Sequence, residues 1–471
     1  MRPSSSRSEP PAGAESPPDA GAGLFDAVLA RGPVRELVGD GAWVRAMLAA
    51  EGALATALAD AGLAPADEAA AVAAACDEEE FDVAAIGRAA AGAGNPVVPL
   101  VRELTARVRV RSGDAAAGWV HHGATSQDVL DTAAVLVTRD ALHAIDADLR
   151  ATADATATLA RAHAGTVLAG RTLMQQALPT TFGAKAAGWL VSLDSAAEEV
   201  RRVAGRLPAQ LGGAAGTLAS LGEDGTAVLA GYARSLGLTE PVVPWHTNRL
   251  PLLAAATAAA LASAALSKVA LDVVLLAQTE VGEAVESSPG RGGSSTMPHK
   301  RNPVGAVAAR AASARVPGLL TTLLAASAHE HERAAGPWHA EWLPLRDLLV
   351  ATGSASSWTA ESLRSLEVDA GRMRDNLGTT HGLLLAERVS TALRPRLGRL
   401  AAHDLVEQAC RTAVREHRDL LDVLLATPAV AEPLGEDRLR ELLDPATYLG
   451  SAAGFVRRAL QNHAEHHEGA G

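Results

Sequence analysis

The stretch TSQDVLDTAAVLVTRDALHAIDADLRATADATATLARAHA, residues 125–164, decides the fold class of this chain. It contains neither glycine nor proline, so nothing in it interrupts a helix. As one helix its 40 residues would span about 60 Å, at about 1.5 Å per residue. Val135, Leu142 and Leu149 recur every seven residues, which is typical of a packing seam between helices. The stretch therefore predicts one very long helix that packs against others.

Three more segments look like long helices, and they set the architecture. They are residues 252–281, residues 182–207 and residues 304–335, the last with a kink expected at Pro317. Hydrophobic residues make up 48% of the chain and aromatic residues only 3%, so Ala and Leu must fill the core. Both are strong helix formers. The sequence predicts an all-α fold whose centre is an elongated bundle of very long helices.

Length and helix spacing suggest three helical domains. The chain has 471 residues, and a domain holds about 150. Shorter helices are expected at 43–61 and 67–76 before the bundle, and at 383–393, 401–425 and 437–443 after it. We expect a disordered tail at 1–22, an N-terminal domain at 23–118, the bundle at 119–370 and a C-terminal domain at 371–471.

Composition argues against several classes of partner. The net charge is −12 and no basic run is present, so neither nucleic acid nor an anionic membrane surface is an expected partner. The apolar stretch 250–267 reaches the length of a membrane span, but its Ala-rich content favours a buried bundle helix. Two cysteines form no disulfide framework, and the first residues lack the apolar core of a secretory signal. We therefore expect a cytoplasmic protein.

Residues 290–303, GRGGSSTMPHKRNP, form the most informative motif. The segment is rich in glycine and proline between two predicted helices, so it predicts a mobile loop. Its hydroxyls (Ser294, Ser295) and cations (Lys300, Arg301) could close over an anion. From these residues alone, an ordinary surface loop explains the pattern equally well.

A second motif, WVHHGATSQDVLDT at 119–132, precedes the longest predicted helix. Thr125, Ser126 and Gln127 could present hydroxyls, an amide and helix N-terminal N–H groups to a carboxylate. Simple helix capping is an alternative role for Ser126, and His121 could be a solvent-facing residue.

A third motif completes a resemblance that the first two begin. It reads GRTLMQQALPTTFG at 170–183. Together with the second motif and the eleven-residue stretch GSSTMPHKRNP, it resembles the three active-site segments of the fumarase/aspartase superfamily. The resemblance runs from about residue 24 to about residue 455.

The resemblance assigns roles to individual residues. It implies that Ser294 is the proton-transferring base, and it leaves open whether Ser295 takes that part. It implies that Lys300 and Asn302 bind a substrate carboxylate, and that His121 is catalytic. Arg171 and Gln175 match binding positions of the third motif.

The chain departs from much of the superfamily at Leu173. Related lyases carry a histidine there that protonates the leaving group, and leucine cannot transfer a proton. A carboxylate leaving group needs no such acid, because its pKa is already low. The resemblance is strongest to the cycloisomerase branch, through GRTLMQQALP and PWHTNR (244–249). It implies lactone formation on a small polycarboxylate without any cofactor or metal.

The sequence also predicts which cations bind the substrate, and the resemblance implies how the subunits assemble. A tricarboxylate needs several positive partners, and the candidates are Arg171, Arg249, Lys300, Arg301 and Arg333, with His246 as a further donor. The resemblance implies a homotetramer in which each active site takes its three segments from different subunits.

Two other functions remain open on the sequence alone. One is a β-elimination lyase on a succinyl-type substrate, against which Leu173 speaks. The other is a non-catalytic structural protein on the same scaffold. The intact loop at 290–303 argues against that role, because a structural protein has no need for Ser294, Lys300 and Asn302 together.

Overall fold

The structure is a computed structural model that describes residues 23–77, 81–288, 290–293, 296–297 and 299–468. The predicted tail at 1–22, and Ser294 and Ser295 of the loop motif, lie outside the described residues.

The described residues form twenty α-helices and four short strands. The helices are α1 Asp26–Leu29, α2 Val34–Leu37, α3 Asp40–Asp60, α4 Ala66–Cys76, α5 Val83–Ala93, α6 Val97–Ala117, α7 Ser126–Ala162, α8 Phe182–Ala204, α9 Gly225–Ser235, α10 Leu250–Leu276, α11 Val304–Ser313, α12 Val316–Ala326, α13 Pro337–Arg364, α14 Ala370–Gly378, α15 Ala386–Leu397, α16 Arg399–Glu416, α17 Leu420–Leu425, α18 Pro428–Leu434, α19 Glu436–Leu442 and α20 Ala452–Glu468.

The strands pair into two small antiparallel sheets. β1 (Val167–Thr172) pairs with β2 (Gln175–Thr181) as a hairpin, and β3 (Ala284–Glu286) pairs with β4 (Leu366–Val368). The sheets are minor additions to a helical molecule, so the predicted all-α class is confirmed. The hairpin β1–β2 was not anticipated from the sequence.

The four longest helices form the centre of the molecule, and three of them were predicted. α7 has 37 residues, α13 has 28, α10 has 27 and α8 has 23. Val135, Leu142 and Leu149, the seam that defined α7 in the sequence, are buried. The predictions for α7, α8 and α10 hold to within a few residues at each end.

The predicted helix at 304–335 is wrong in its extent. The chain breaks between α11 and α12 at Ala314–Arg315, and Pro317 lies in the first turn of α12, where its missing N–H costs nothing. The helix predicted at 401–425 is likewise divided into α16 and α17 at His417, which adopts a left-handed conformation. The long helix α13 was not predicted.

Helix α10 contains the apolar stretch that could be mistaken for a membrane span. Among the described residues α3 and α10 are long and apolar enough to cross a membrane, which core helices also satisfy. Ala255, Ala259 and Leu266 of α10 are buried against the rest of the bundle. Only 56% of its most apolar window is buried within the chain, so part of α10 faces outward.

The C-terminal segment builds a core of its own before rejoining the bundle. Val389, Leu420 and Leu439 belong to a buried cluster formed by α15–α19. The last helix, α20, packs against α8 and α7 instead. A link between helices is made by buried His463, whose Nδ1 lies 2.9 Å from the carboxylate of Asp194 on α8. The domain boundaries at 118 and 370 stay predictions.

Candidate active site

The second sequence motif lies at the start of α7. Thr125 is its N-cap, and the Thr125 amide donates to Asp128 Oδ2 at 2.9 Å as half of a capping box. Thr125 and Ser126 are partly exposed. Because the first turn of a helix carries partial positive charge, these two residues lie where a substrate carboxylate could bind.

Asp128 ties this helix start to two other segments. It is fully buried, and its carboxylate accepts from the amides of Gly212 and Gly213, each at 2.9 Å. Nε2 of His246 lies 2.6 Å from Asp128 Oδ1. His246, a predicted substrate donor, is only 4% exposed. It therefore supports Asp128 and does not lie on an open surface.

Arg249 lies in a buried ion-pair network. Its Nη1 and Nη2 donate to the two oxygens of Asp131 at 2.7 and 2.9 Å, and its Nε and Nη2 donate to Glu341. Trp338 adds a hydrogen bond to Asp131 at 3.0 Å. Arg249 is only 2% exposed. Its donors are committed to these carboxylates, so we assign it a positioning role in place of the predicted contact with substrate.

The network carries more negative than positive charge. Burial raises the pKa of Glu341 against the opposing pull of Arg249. Burial disfavours a charged Arg249, but Asp131 and Glu341 outweigh that effect and raise the pKa of the guanidinium. His329 Nε2 lies 3.2 Å from Glu341 Oε1 and is a further hydrogen-bond partner of that carboxylate. Gln127, a predicted binding residue, is buried, and its side-chain amide donates to Asp131 and to the carbonyl of His246.

Arg333 approaches the same region from the segment before α13. Its guanidinium donates to the carbonyl oxygens of Gly213 and Ala214, next to the residues that Asp128 holds. Burial lowers its pKa, and the nearby charges of Asp128 and Asp131 oppose that shift. Arg333 is half-buried and remains a candidate for substrate binding.

His121 is held by a residue that the sequence analysis missed. Its ring Nδ1 lies 2.6 Å from Glu51 Oε1, and its backbone N–H donates to Glu51 Oε2 at 3.0 Å. Burial alone would lower the pKa of His121, but the hydrogen bond and charge of Glu51 raise it overall. The available signal was a single carboxylate inside the apolar run MLAAEGALATAL at 47–58.

The third motif forms the hairpin β1–β2, whose tip is Leu173 and Met174. Both have positive φ, +50° and +66°, as a two-residue turn of this kind requires. Leu173 is 97% exposed and Met174 70%. Gln175 begins β2 and is exposed as well. Arg171, two residues before the turn, donates to both oxygens of fully buried Glu283, at 2.9 and 2.6 Å, which ties the turn end of the hairpin to the segment before β3.

The loop motif is anchored at its base. The backbone N–H and the side-chain amide of Asn302 both donate to the carbonyl of Gly292, at 2.9 and 3.2 Å. Glu286 accepts from the amides of Gly305 and Ala306 beyond the loop. Lys300 is exposed and makes no ion pair with any described residue. Asn302 is therefore engaged within the loop, while Lys300 is available for an anion.

In one chain the second motif lies at one end of the bundle, and the hairpin and the loop motif lie at the other end. Helix α13 carries Glu341, which binds Arg249 near the second motif, and Glu361, which pairs with Arg291 of the loop. These two carboxylates are 20 residues apart on one helix, which is about 30 Å. Arg249 and Glu283 likewise flank the 27 residues of α10, about 40 Å of helix. Through Glu283, just before β3, and Glu286, at its end, the structure brings the turn end of the hairpin near the base of the loop, but it does not bring the second motif there.

The chain is similar to several known proteins in both sequence and structure. A family model described as "Lyase" matches residues 31–318, and one described as "Adenylosuccinate lyase C-terminus" matches residues 382–459. A 3-carboxy-cis,cis-muconate cycloisomerase from Pseudomonas aeruginosa is 48% identical over 94% of this chain and 96% of its own length. A nitrosuccinate lyase from Streptomyces davaonensis is 46% identical over 93% of this chain and 94% of its own. The crystal structure of 3-carboxy-cis,cis-muconate lactonizing enzyme from Pseudomonas putida superposes with a TM-score of 0.89 at 45% identity, covering 94% of this chain and 99% of that one.

Proposed function

The chain belongs to the lyase family, and from that membership we propose that it interconverts 3-carboxy-cis,cis-muconate and 4-carboxymuconolactone. It acts as an intramolecular lyase on a small polycarboxylate, in the catabolism of protocatechuate-type aromatic compounds. One substrate carboxylate adds to a double bond, and a proton is delivered to the carbon next to another carboxylate.

The observation that carries this proposal is Leu173. It stands at the tip of the hairpin, at the position where related lyases carry the histidine that protonates a leaving group. A reaction that expels a carboxylate needs no proton on the departing oxygen. The apolar tip therefore fits lactone chemistry and does not fit elimination of an amine.

The proposed roles follow the motifs. Ser294 exchanges the proton with the substrate carbon. Lys300 and Asn302 bind a substrate carboxylate. The start of α7, with Thr125 and Ser126, binds a second carboxylate. These donors stabilise the aci-carboxylate intermediate, in which extra negative charge develops.

A homotetramer with shared sites is part of the proposal. Two of the three motifs are about 30 Å or more from the third along single helices, so one chain cannot assemble a site alone. The exposed side chains of Leu173 and Met174 support this assembly, because apolar residues at a strained turn need a covering surface. We place the enzyme in the cytoplasm.

A spectrophotometric assay tests the reaction. Addition of purified protein to 3-carboxy-cis,cis-muconate is expected to remove ultraviolet absorbance, because lactone formation shortens the conjugated system. Ser294→Ala is expected to lower kcat by about 10²- to 10⁴-fold, the usual contribution of a positioned acid or base. Ser288→Ala, just before the motif, is the matched control and should keep wild-type turnover. If Ser295→Ala is inactive and Ser294→Ala is active, the role moves to Ser295.

Elimination of nitrite from nitrosuccinate is a second candidate. The nitrosuccinate lyase relative is nearly as similar to this chain as the cycloisomerase is. Nitrite is the anion of an acid with a low pKa, so it also departs without the missing histidine. A colorimetric nitrite assay with nitrosuccinate separates the two, since only the elimination releases nitrite. Absence of turnover on both substrates would favour a structural protein.

A further inference from the structure

Glu51 is a buried carboxylate whose surroundings call for a positive partner. It lies within the apolar run of α3, and its side chain is fully buried. A buried carboxylate is costly unless it is paired. No lysine or arginine in the described part of the chain forms an ion pair with it, and the group that does is His121.

The other titratable groups near Glu51 do not supply that charge. Cys76 on α4 and Tyr232 on α9 are buried, and burial raises the pKa of each, with Glu51 adding to the shift. Both groups therefore stay neutral. Asp128 on α7 acts in the same direction as Glu51 and raises the pKa of His121. Burial opposes a charged His121, but the hydrogen bond and charge of Glu51, with Asp128, outweigh it and raise the pKa of the imidazole overall.

The geometry also fixes which ring nitrogen faces outward. Glu51 Oε1 binds the ring through Nδ1, while Oε2 holds the backbone N–H of the same residue. The backbone at His121 has φ +60°, an uncommon conformation that this double contact holds. Nε2 makes no hydrogen bond to any described residue, and 21% of the His121 side chain is exposed.

We propose that Glu51 is a positioning residue that holds His121 as an imidazolium, with its Nε2–H directed to a substrate carboxylate near the start of α7. No proton is transferred by His121 in this scheme. Its charged hydrogen bond strengthens as the aci-carboxylate forms, and so lowers the barrier. The proposal rests on the proposed function, because the carboxylate that His121 would bind belongs to the substrate of that same site.

Glu51→Gln tests the proposal, since glutamine keeps the size and the acceptor oxygen but not the charge. We expect kcat at pH 8 to fall by about 10- to 100-fold, with KM changed less, and activity to recover as the pH is lowered. The reason is the sign of the shift. With Glu51 charged, the imidazolium persists to higher pH, and without that charge it is lost at lower pH.

Glu51→Asp and Asp194→Asn serve as the comparison variants. Glu51→Asp keeps the charge on a shorter side chain, so its alkaline limb should stay closer to that of the wild type than the limb of Glu51→Gln does, even if turnover falls. Asp194→Asn removes the carboxylate from the buried pair with His463, away from the site, and should leave the pH profile of turnover unchanged. A Glu51→Gln enzyme with a wild-type pH profile would overturn the proposal. If Glu51→Gln does not fold, a displaced limb in Glu51→Asp would overturn it instead.

A second readout does not depend on the reaction. The ring carbon resonances of His121, assigned through His121→Gln, report its titration by NMR in the full-length enzyme. The midpoint is expected to fall in Glu51→Gln, and an unchanged midpoint contradicts the proposal. If the wild type fails to consume 3-carboxy-cis,cis-muconate, the proposed function fails, while this titration still decides whether Glu51 controls the charge of His121.

Discussion

The two ends of the helical bundle differ in how their polar groups are satisfied. At the start of α7, Asp128, Asp131 and Arg249 are buried and bound to partners within the same chain. At the other end, the hairpin tip exposes Leu173, and the loop exposes Lys300. The first end satisfies its buried charges within the chain, and the other presents exposed groups that could contact a substrate or another subunit.

This difference separates two ways of preparing a site. The buried end fixes its donors before substrate arrives, so no reorganisation is needed during the reaction. The exposed end supplies the parts that move or that come from a neighbour. Variants at the buried end should therefore affect folding first, and variants at the exposed end should affect turnover first.

The largest effect on stability is expected for Arg249→Met. The substitution leaves Asp131 and Glu341 buried side by side without their cation, and breaking a buried pair in this way costs about 3–5 kcal/mol. Denaturant unfolding monitored by circular dichroism measures it. Arg440→Gln, which breaks an exposed pair with Glu436, is the control and should change little. Near-wild-type stability of Arg249→Met would show that the buried ion pairs do not stabilise the fold at the start of α7.

Asp128→Asn should have a smaller effect on the same end. The carboxylate accepts from the amides of Thr125, Gly212 and Gly213, and an amide side chain offers only one oxygen. Donors left facing the new NH₂ group cost about 1–3 kcal/mol. Hydrogen exchange at the Gly212 and Gly213 amides should become faster. Asp140→Asn on the exposed face of α7 is the control, and equal protection in both variants would contradict this role for Asp128.

The sequence predicted local features of this molecule better than distant pairings. Helix α7 was predictable because residues 125–164 contain no glycine or proline that would interrupt a helix. Helix α13 was missed because it contains Pro344 and Gly353, which usually end helices. Gly353 is required for packing, because a Cβ at that position would overlap with the side chain of Val34. The glycine therefore allows α2 to approach α13 closely.

The candidate site shows the same limit. The motifs were visible as ordered runs of residues, but the partners of Arg249 were not, since Asp131 and Glu341 are 118 and 92 residues away in sequence. A cation without a visible partner was therefore interpreted as a substrate ligand. Glu51 and His121 are 70 residues apart and were missed for the same reason. Charge pairing between distant segments depends on the fold and cannot be obtained from local pattern.

The smallest stability change, and the sharpest test of the exposed end, is expected for Met174→Gly. Glycine adopts positive φ without strain, so the turn should gain up to about 1 kcal/mol, partly offset by the greater freedom of the unfolded chain. The apolar side chain that would contact a neighbouring subunit is lost at the same time. We therefore expect unchanged or slightly higher thermal stability together with lower turnover and weaker assembly, measured by calorimetry, the absorbance assay and sedimentation.

His417→Gly separates strain from contact in that experiment. His417 also has a positive φ, +51°, but it lies at the end of α16 and is exposed, away from the hairpin. Its substitution should relieve the same kind of strain and leave turnover unchanged. If Met174→Gly behaves like His417→Gly in turnover and in assembly, the hairpin tip does not reach a neighbour. In that case the hairpin end of the bundle would not need a neighbouring subunit, and the proposed difference between the two ends would be wrong.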